Sequence, residues 1–202
     1  MAESTNKTSQ NKLEFRFNLE KTVQALNFFC IENGGTINRL KAMKMLFLAD
    51  KTHLNKYGRN ISGDAYVAME MGPVLSNTWN LLRPEKKKAL VIKDWYSYLA
   101  KYLEFESIVM LRSKQHIDDG EFSNSDIICL KATADSFLRI PQNQLIKILH
   151  TFPEWEKVWH SKAHYREKVL PITIESMFFS GASAEKPYLV KRARLIADAQ
   201  AA

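Results

Sequence analysis

A chain of 202 residues, 46% apolar and 25% charged, has the composition of one globular domain, long enough for one well-buried core and short for two large ones. No apolar run approaches the ~20 residues of a membrane span, and the polar start MAESTNKTSQNK lacks the apolar stretch of a secretory signal. The net charge of +7 is compatible with nucleic acid or an acidic partner, but the lysines and arginines are spread, with modest clusters at Lys86–Lys88 and at Lys186, Lys191, Arg192 and Arg194, so we read the charge as solubility and expect no nucleic-acid partner.

Residues 1–12 are polar without periodicity, and the N-terminal tail, residues 1–17, is expected to be disordered. Asn18 as N-cap and Glu20 in the first turn open a helix with Leu19, Val23, Leu26 and Cys30 on one face, closed by Gly34-Gly35. Thr36 is expected to cap a second helix striped by Leu40, Met43, Phe47 and Leu54, with Ile37 at the edge of the stripe. Its polar face (Asn38, Lys41, Thr52, Lys56) is interrupted by Met45 and Ala49, which predicts a helix covered on more than one side. Gly58 ends it in the C′ position after Tyr57. Ile61–Asp64 reads as a turn and Tyr66–Met71 as a strand, with Tyr66, Ala68 and Glu70 on one side. Gly72-Pro73 is expected to break the strand, followed by a helix from Val74 to Leu82 that Pro84 stops.

Lys86–Lys88 reads as a solvated connection. The segment Leu90–Tyr102 has no decisive period, but Trp95, Tyr96, Tyr98 and Tyr102 mark a covered surface. Leu103–Arg112 alternates as one strand, and Asp118-Asp119-Gly120 is a turn. Ser123 with Asp126 forms a capping box before a helix over Asp126–Arg139, which holds Cys129. Cys30 and Cys129 are the only cysteines, each in an apolar segment, as suits a reducing cytoplasm. Pro141 opens a helix that ends near His150-Thr151, and Pro153 opens the next, Glu154–His164. Thr173 with Glu175 starts a short helix through Phe179. Gly181-Ala182-Ser183 is a break, and Pro187–Ala199 is a basic helix within a C-terminal segment, residues 181–202. The expected fold is α+β, predominantly α-helical: a single compact helical domain over residues 18–180 with a small β-sheet.

Three of the seven glycines, Gly58, Gly63 and Gly72, punctuate the stretch Lys44–Ser76, so its loop is the place to look for presented side chains. Asp50 and His53 stand three apart on the helix end, and with Asp64 they have the residue types of an acid–base or metal constellation. No nucleophile or complete ligand set accompanies them. The favoured reading is structural: both carboxylates accept hydrogen bonds from loop amides and His53 braces the turn. A hydrolase or metal-dependent enzyme using Asp50, His53 and Asp64 is the catalytic alternative. His160 and His164 have chelating spacing, with His150 and Glu156 nearby. The zinc-protease pattern HEXXH is absent, so a solvated helix end is preferred there. Trp79, Trp95, Trp155 and Trp159, with Tyr96 and Tyr98, are core residues or partner anchors. Tyr57, Arg59 and Tyr66 either pin the loop or touch a partner; the forked guanidinium of Arg59 matches a carboxylate.

The run Leu46–Leu54, followed by Tyr57-Gly58-Arg59, Ile61–Asp64, Tyr66–Met69 and Gly72-Pro73-Val74, resembles the Panacea domain of SocA-like antitoxins, also met as phage-associated proteins. A second block, His150–Trp155 leading to Leu170-Pro171-Ile172, is similar to that family's C-terminal part, and the resemblance covers about residues 18–180. It implies a cytoplasmic antitoxin, not an enzyme and without a cofactor. Its partner would be a cognate protein toxin encoded beside it and neutralised by direct contact. Some relatives are linked to protease delivery, so a bacterial AAA+ protease is a second implied partner and a delivery adaptor a second function. Some members carry an extra DNA-binding domain, for which too few residues lie outside the domain here. On this reading Asp50, His53, Tyr57, Arg59, Asp64 and Tyr66 are the partner-binding candidates. The ending Ala199-Gln200-Ala201-Ala202 resembles signals read by unfolding proteases, against the plainer reading of a frayed terminus.

Overall fold

The computed structural model describes residues 12–83, 90–161, 167–178 and 187–201. The expectations for residues 1–11, Pro84, Lys86–Lys88, His164, Phe179, Gly181–Ser183 and Ala202 lie outside the described residues.

Helix α1 (Leu19–Glu32) starts where expected, the Asn18 side chain accepting from the Lys21 amide at 2.8 Å. Gly34 and Gly35, at φ 83° and 94°, turn the chain in a way that residues with a Cβ rarely allow. The chain emerges extended, as β1 (Thr36–Asn38). Thr36 therefore does not cap the second helix, α2 (Arg39–Tyr57); Asn38 does, accepting from the amides of Leu40 and Lys41. Gly58 closes α2 at φ 75°, donating its amide to the Leu54 carbonyl.

The strand turns at Glu70-Met71, and Gly72-Pro73 does not break the chain but opens a second strand. β2 (Tyr66–Met69) and β3 (Gly72–Leu75) form an antiparallel hairpin, and only then does α3 (Ser76–Leu81) begin. Pro73 is tolerated because β3 is an edge strand, where a missing N–H faces no neighbour. α4 (Leu90–Tyr102) follows. The single strand expected over Leu103–Arg112 is also a hairpin, β4 (Leu103–Phe105) and β5 (Met110–Ser113), whose turn is tied by the Ser107 hydroxyl accepting from the Val109 and Met110 amides.

α5 (Asn124–Phe137) carries both bonds of the Ser123–Asp126 capping box. α6 (Gln142–His150) follows Pro141. α7 (Pro153–Trp159) is shorter than the expected Glu154–His164. β6 (Leu170–Ile172) comes next, then α8 (Ile174–Phe178) and α9 (Pro187–Ala201).

The strands build two small antiparallel sheets rather than one, in the orders β1-β5-β4 and β3-β2-β6. Every residue of α2 from Ala42 to Asp50 is buried, so this helix runs through the interior, with α1, α5, α6, α8 and α9 packed on it. The fold is thus predominantly helical α+β. Among the described residues no helix is long and apolar enough to cross a membrane.

Both ends of the described chain pack on this body. Residues 12–17, expected within the disordered tail, are laid across the 58–65 loop: Leu13 is buried and its amide donates to Glu175, Asn18 donates its amide to the Ser62 carbonyl, and Arg16 donates its amide to Gln200 of α9. The physical reason is that Leu13 finds an apolar seat which a local reading of a polar segment does not reveal. α9, expected within a separate C-terminal segment, buries Leu189 and Ala193 and sets Arg192 against Gly58.

Candidate functional site

The chain from Gly58 to Ala65 belongs to no helix or sheet, so its polar backbone groups need partners elsewhere. Asp50, inside α2, supplies two. Its Oδ1 accepts from the amides of Ile61 (2.8 Å) and Ser62 (3.0 Å); its Oδ2 accepts from the Ser62 hydroxyl and from Tyr66 Oη (2.9 Å). Burial pushes the Asp50 carboxyl up to about 6, against the pull of those four donors. Tyr66 also accepts from Asn60 Nδ2 at 2.7 Å, and burial beside Asp50 holds its phenol well above the ordinary range.

Asp64 does a second job. α3 begins after Leu75, which has no side chain able to cap it. The Asp64 carboxylate takes that role, accepting from the amides of Asn77 (2.9 Å) and Thr78 (2.8 Å) and from the Thr78 hydroxyl (2.8 Å), besides the Ala65 amide. Burial raises its pKa while these bonds work downward.

His53 faces the other way. Its Nδ1 lies 2.8 Å from the Arg59 carbonyl, which can only accept, so Nδ1 carries the proton and Nε2 accepts from Ser125 Oγ at 2.9 Å. Asp126 Oδ1 is 3.2 Å from Nε2, which looks like an ion pair. Burial, however, pushes His53 down to about 4, outweighing the Arg59 carbonyl and the Asp126 charge, so the ring is neutral at pH 7. The charges that Asp126 does hold are Lys21 (2.7 Å) and Arg59 (2.8 Å). Burial alone works to raise the Asp126 pKa, but the Lys21 bond, the Ser123 amide and the Arg59 charge bring it below the usual carboxylate range.

The His53 pKa has a measurable consequence. Its folded value lies below the unfolded ~6.5, so the unfolded chain binds the extra proton first and stability is lost as pH falls from about 6.5 towards 4. Asp50, raised to about 6, slopes the opposite way over the same range. The expected result is therefore a difference: the stability gap between wild type and His53→Gln, from urea unfolding at a series of pH values, widens as pH rises from about 4 to 6.5. A constant gap would show that His53 titrates alike in both states.

Asp50, His53 and Asp64 do not converge on a common point. Asp50 and Asp64 belong to one network, joined through the Ser62 hydroxyl; His53 belongs to another, with Arg59, Ser125 and Asp126. All four carboxylate oxygens are occupied by the protein's own amides and hydroxyls, as the structural reading expected. Asp50, His53, Asp64 and Tyr66 are at most 2% exposed, whereas Tyr57 and Arg59 reach the surface. Trp155 is core, donating Nε1–H to the Met69 carbonyl and stacked between His150 and Trp159; Tyr96 is buried, and Trp79 and Trp95 are half-buried. His160 meets the edge of Trp155. Among the described residues no group of three His, Cys, Asp or Glu side chains is placed to hold a metal ion.

Two residues carry more than sequence reasoning assigned. Asp126 appeared only as a capping-box member, yet it is where α1, α5 and the loop meet, because its cationic partners lie 67 and 105 residues away. Lys44 is fully buried in α2, donates to the Pro73 carbonyl at 2.6 Å, and is pushed down to about 7 by burial. The signal for Lys44 was its position among consecutive apolar residues of a helix covered on several sides.

A family model matches residues 42–156, that of the SocA-like antitoxin, Panacea domain. The match begins in α2, ends in α7 and takes in the whole 58–65 loop with every one of its carboxylate anchors. No curated protein and no solved structure matches the chain.

Proposed function

The chain belongs to the SocA-like antitoxin family with the Panacea domain, and from that membership we propose that it is a cytoplasmic antitoxin that neutralises a cognate protein toxin by direct contact. The observation that carries the proposal is the family match across residues 42–156. The geometry supports binding over catalysis: the carboxylates that an acid–base site would need are committed to holding a loop. That loop is built to present side chains. Asp50, Asp64 and Tyr66 fix its backbone from below, His53 fixes the Arg59 carbonyl, and Tyr57 and Arg59 stand at its surface as the contact residues. A loop held this way loses little further freedom on binding, which favours affinity.

The test is co-expression with the product of the adjacent gene, scoring growth and co-purification together. Growth rescue with a stable complex is the expected outcome. Rescue without a complex, accompanied by loss of the toxin that depends on an AAA+ protease, would replace occlusion by delivery. A neighbour that is harmless when expressed alone, with no complex formed, would overturn the antitoxin reading for this pair.

A further inference from the structure

We propose that the cleft between residues 15–18, the 59–63 loop and the end of α9 receives an acidic segment of the toxin; the proposal rests on the antitoxin reading and names the surface that does the binding. The cleft has a volume of about 720 Å³, room for several side chains rather than for a single ion. Its walls are tied to one another: Asn18 donates to Ser62, and Arg16 donates its amide to Gln200. The site therefore exists before a partner arrives.

Its charge is set by an imbalance. Lys21 and Arg59 both line the cleft and share one carboxylate, Asp126, whose side chain is wholly buried behind them, so one positive charge stays uncompensated. Both cations remain reachable, with 19% and 24% of their side chains exposed. Arg16, exposed on the rim, makes no ion pair among the described residues. Glu20 is the opposing charge in the lining, and a net positive charge remains. Arginine forks suit carboxylates.

The distribution of charge points to a peptide. Asp or Glu side chains of a peptide segment would meet Arg16, Lys21 and Arg59 across the cleft. A nucleic-acid backbone offers repeated phosphates and needs a continuous row of cations. Here the cations are gathered in one bounded cleft beside Glu20.

The probe is a fluorescently labelled oligoglutamate peptide, followed by anisotropy on the full chain. Wild type is expected to bind with an affinity that falls as salt rises. Arg16→Glu is expected to weaken binding about tenfold or more, by losing one charge-assisted contact and adding repulsion. Arg16 makes no side-chain bond that the fold needs, and an unchanged melting temperature would verify this; Lys131→Glu on the exposed face of α5 is the charge-matched control. Equal affinity for Arg16→Glu and Lys131→Glu would overturn the proposal. So would binding of a short oligothymidylate that Arg16→Glu abolishes while oligoglutamate does not bind. In cells, Arg16→Glu should lose growth rescue; full rescue would remove the cleft as the toxin site and leave the antitoxin reading standing. Failure of wild type to rescue bears instead on that reading itself.

Discussion

Replacing Asp50 with alanine is expected to lower the unfolding free energy by about 3–5 kcal/mol, and with asparagine by about 1–2 kcal/mol. Alanine strips the acceptor from two amides, a hydroxyl and a phenol in a place that water does not reach. Each orphaned donor then bears its own desolvation penalty, and the site cannot collapse because Tyr66 and Ile61 are themselves packed in the core. Asparagine keeps one carbonyl oxygen for the Ile61 and Ser62 amides. Its NH₂ replaces Oδ2, so the Ser62 and Tyr66 hydroxyls must reverse their roles, and Tyr66 already accepts from Asn60. Urea unfolding gives the two losses, and hydrogen exchange at the Ile61 and Ser62 amides locates them. An alanine variant within 1 kcal/mol of wild type would mean that water enters and substitutes for the carboxylate. Because Asp50 anchors the loop that bears Arg59, the asparagine variant should also bind oligoglutamate, the probe of the proposed cleft, more weakly than its modest stability loss alone implies.

Gly63→Ala is expected to cost about 2–4 kcal/mol and to release the segment over residues 12–17. A Cβ at this position would stand 1.9 Å from the Arg16 carbonyl oxygen and 2.7 Å from its carbon, and both are backbone atoms that no rotamer change moves aside. The backbone at φ 66° adds about 1 kcal/mol for any residue with a Cβ. The only relief is for the crossing segment to lift, which breaks the Asn18–Ser62 bond and uncovers Leu13. Limited trypsin digestion reads this directly, through faster cleavage after Lys12 and Arg16 than in wild type. Gly120→Ala is the contrast: its nearest neighbour is the movable Asp118 carboxylate at 3.2 Å, and little change is expected. Wild-type protection in Gly63→Ala would show that the segment and loop do not touch in solution. Since residues 15–18 form one wall of the cleft, the same variant should also lose oligoglutamate binding.

Features that depend on a few neighbouring residues are written in the order of the amino acids. Asn18, the Ser123–Asp126 pair, Gly58 and Pro153 were legible as helix ends, because a cap bonds to an amide at most four residues away. The interrupted polar face of α2 announced a helix covered on several sides, and burial from Ala42 to Asp50 is how that appears in three dimensions. The order of residues over 46–74 was enough to indicate the family that the comparison then showed. The structural roles of Asp50 and Asp64 were also legible in kind, since carboxylates beside a glycine-rich loop have amides to receive. The remaining features arise from contacts between distant parts of the chain. Alternation reads straight through the Glu106–Val109 turn, so one strand and a hairpin look alike until β1 pairs with β5, Thr36 opposite Arg112. Leu170-Pro171-Ile172 became a strand only because β2 lay open to it about a hundred residues earlier. Asp64 became a helix cap, and Asp126 the holder of Lys21 and Arg59, through partners that no local pattern encodes. Periodicity and capping are short-range physics written in adjacent residues, whereas strand pairing and buried charge compensation depend on which distant groups the collapsed core brings within three ångströms.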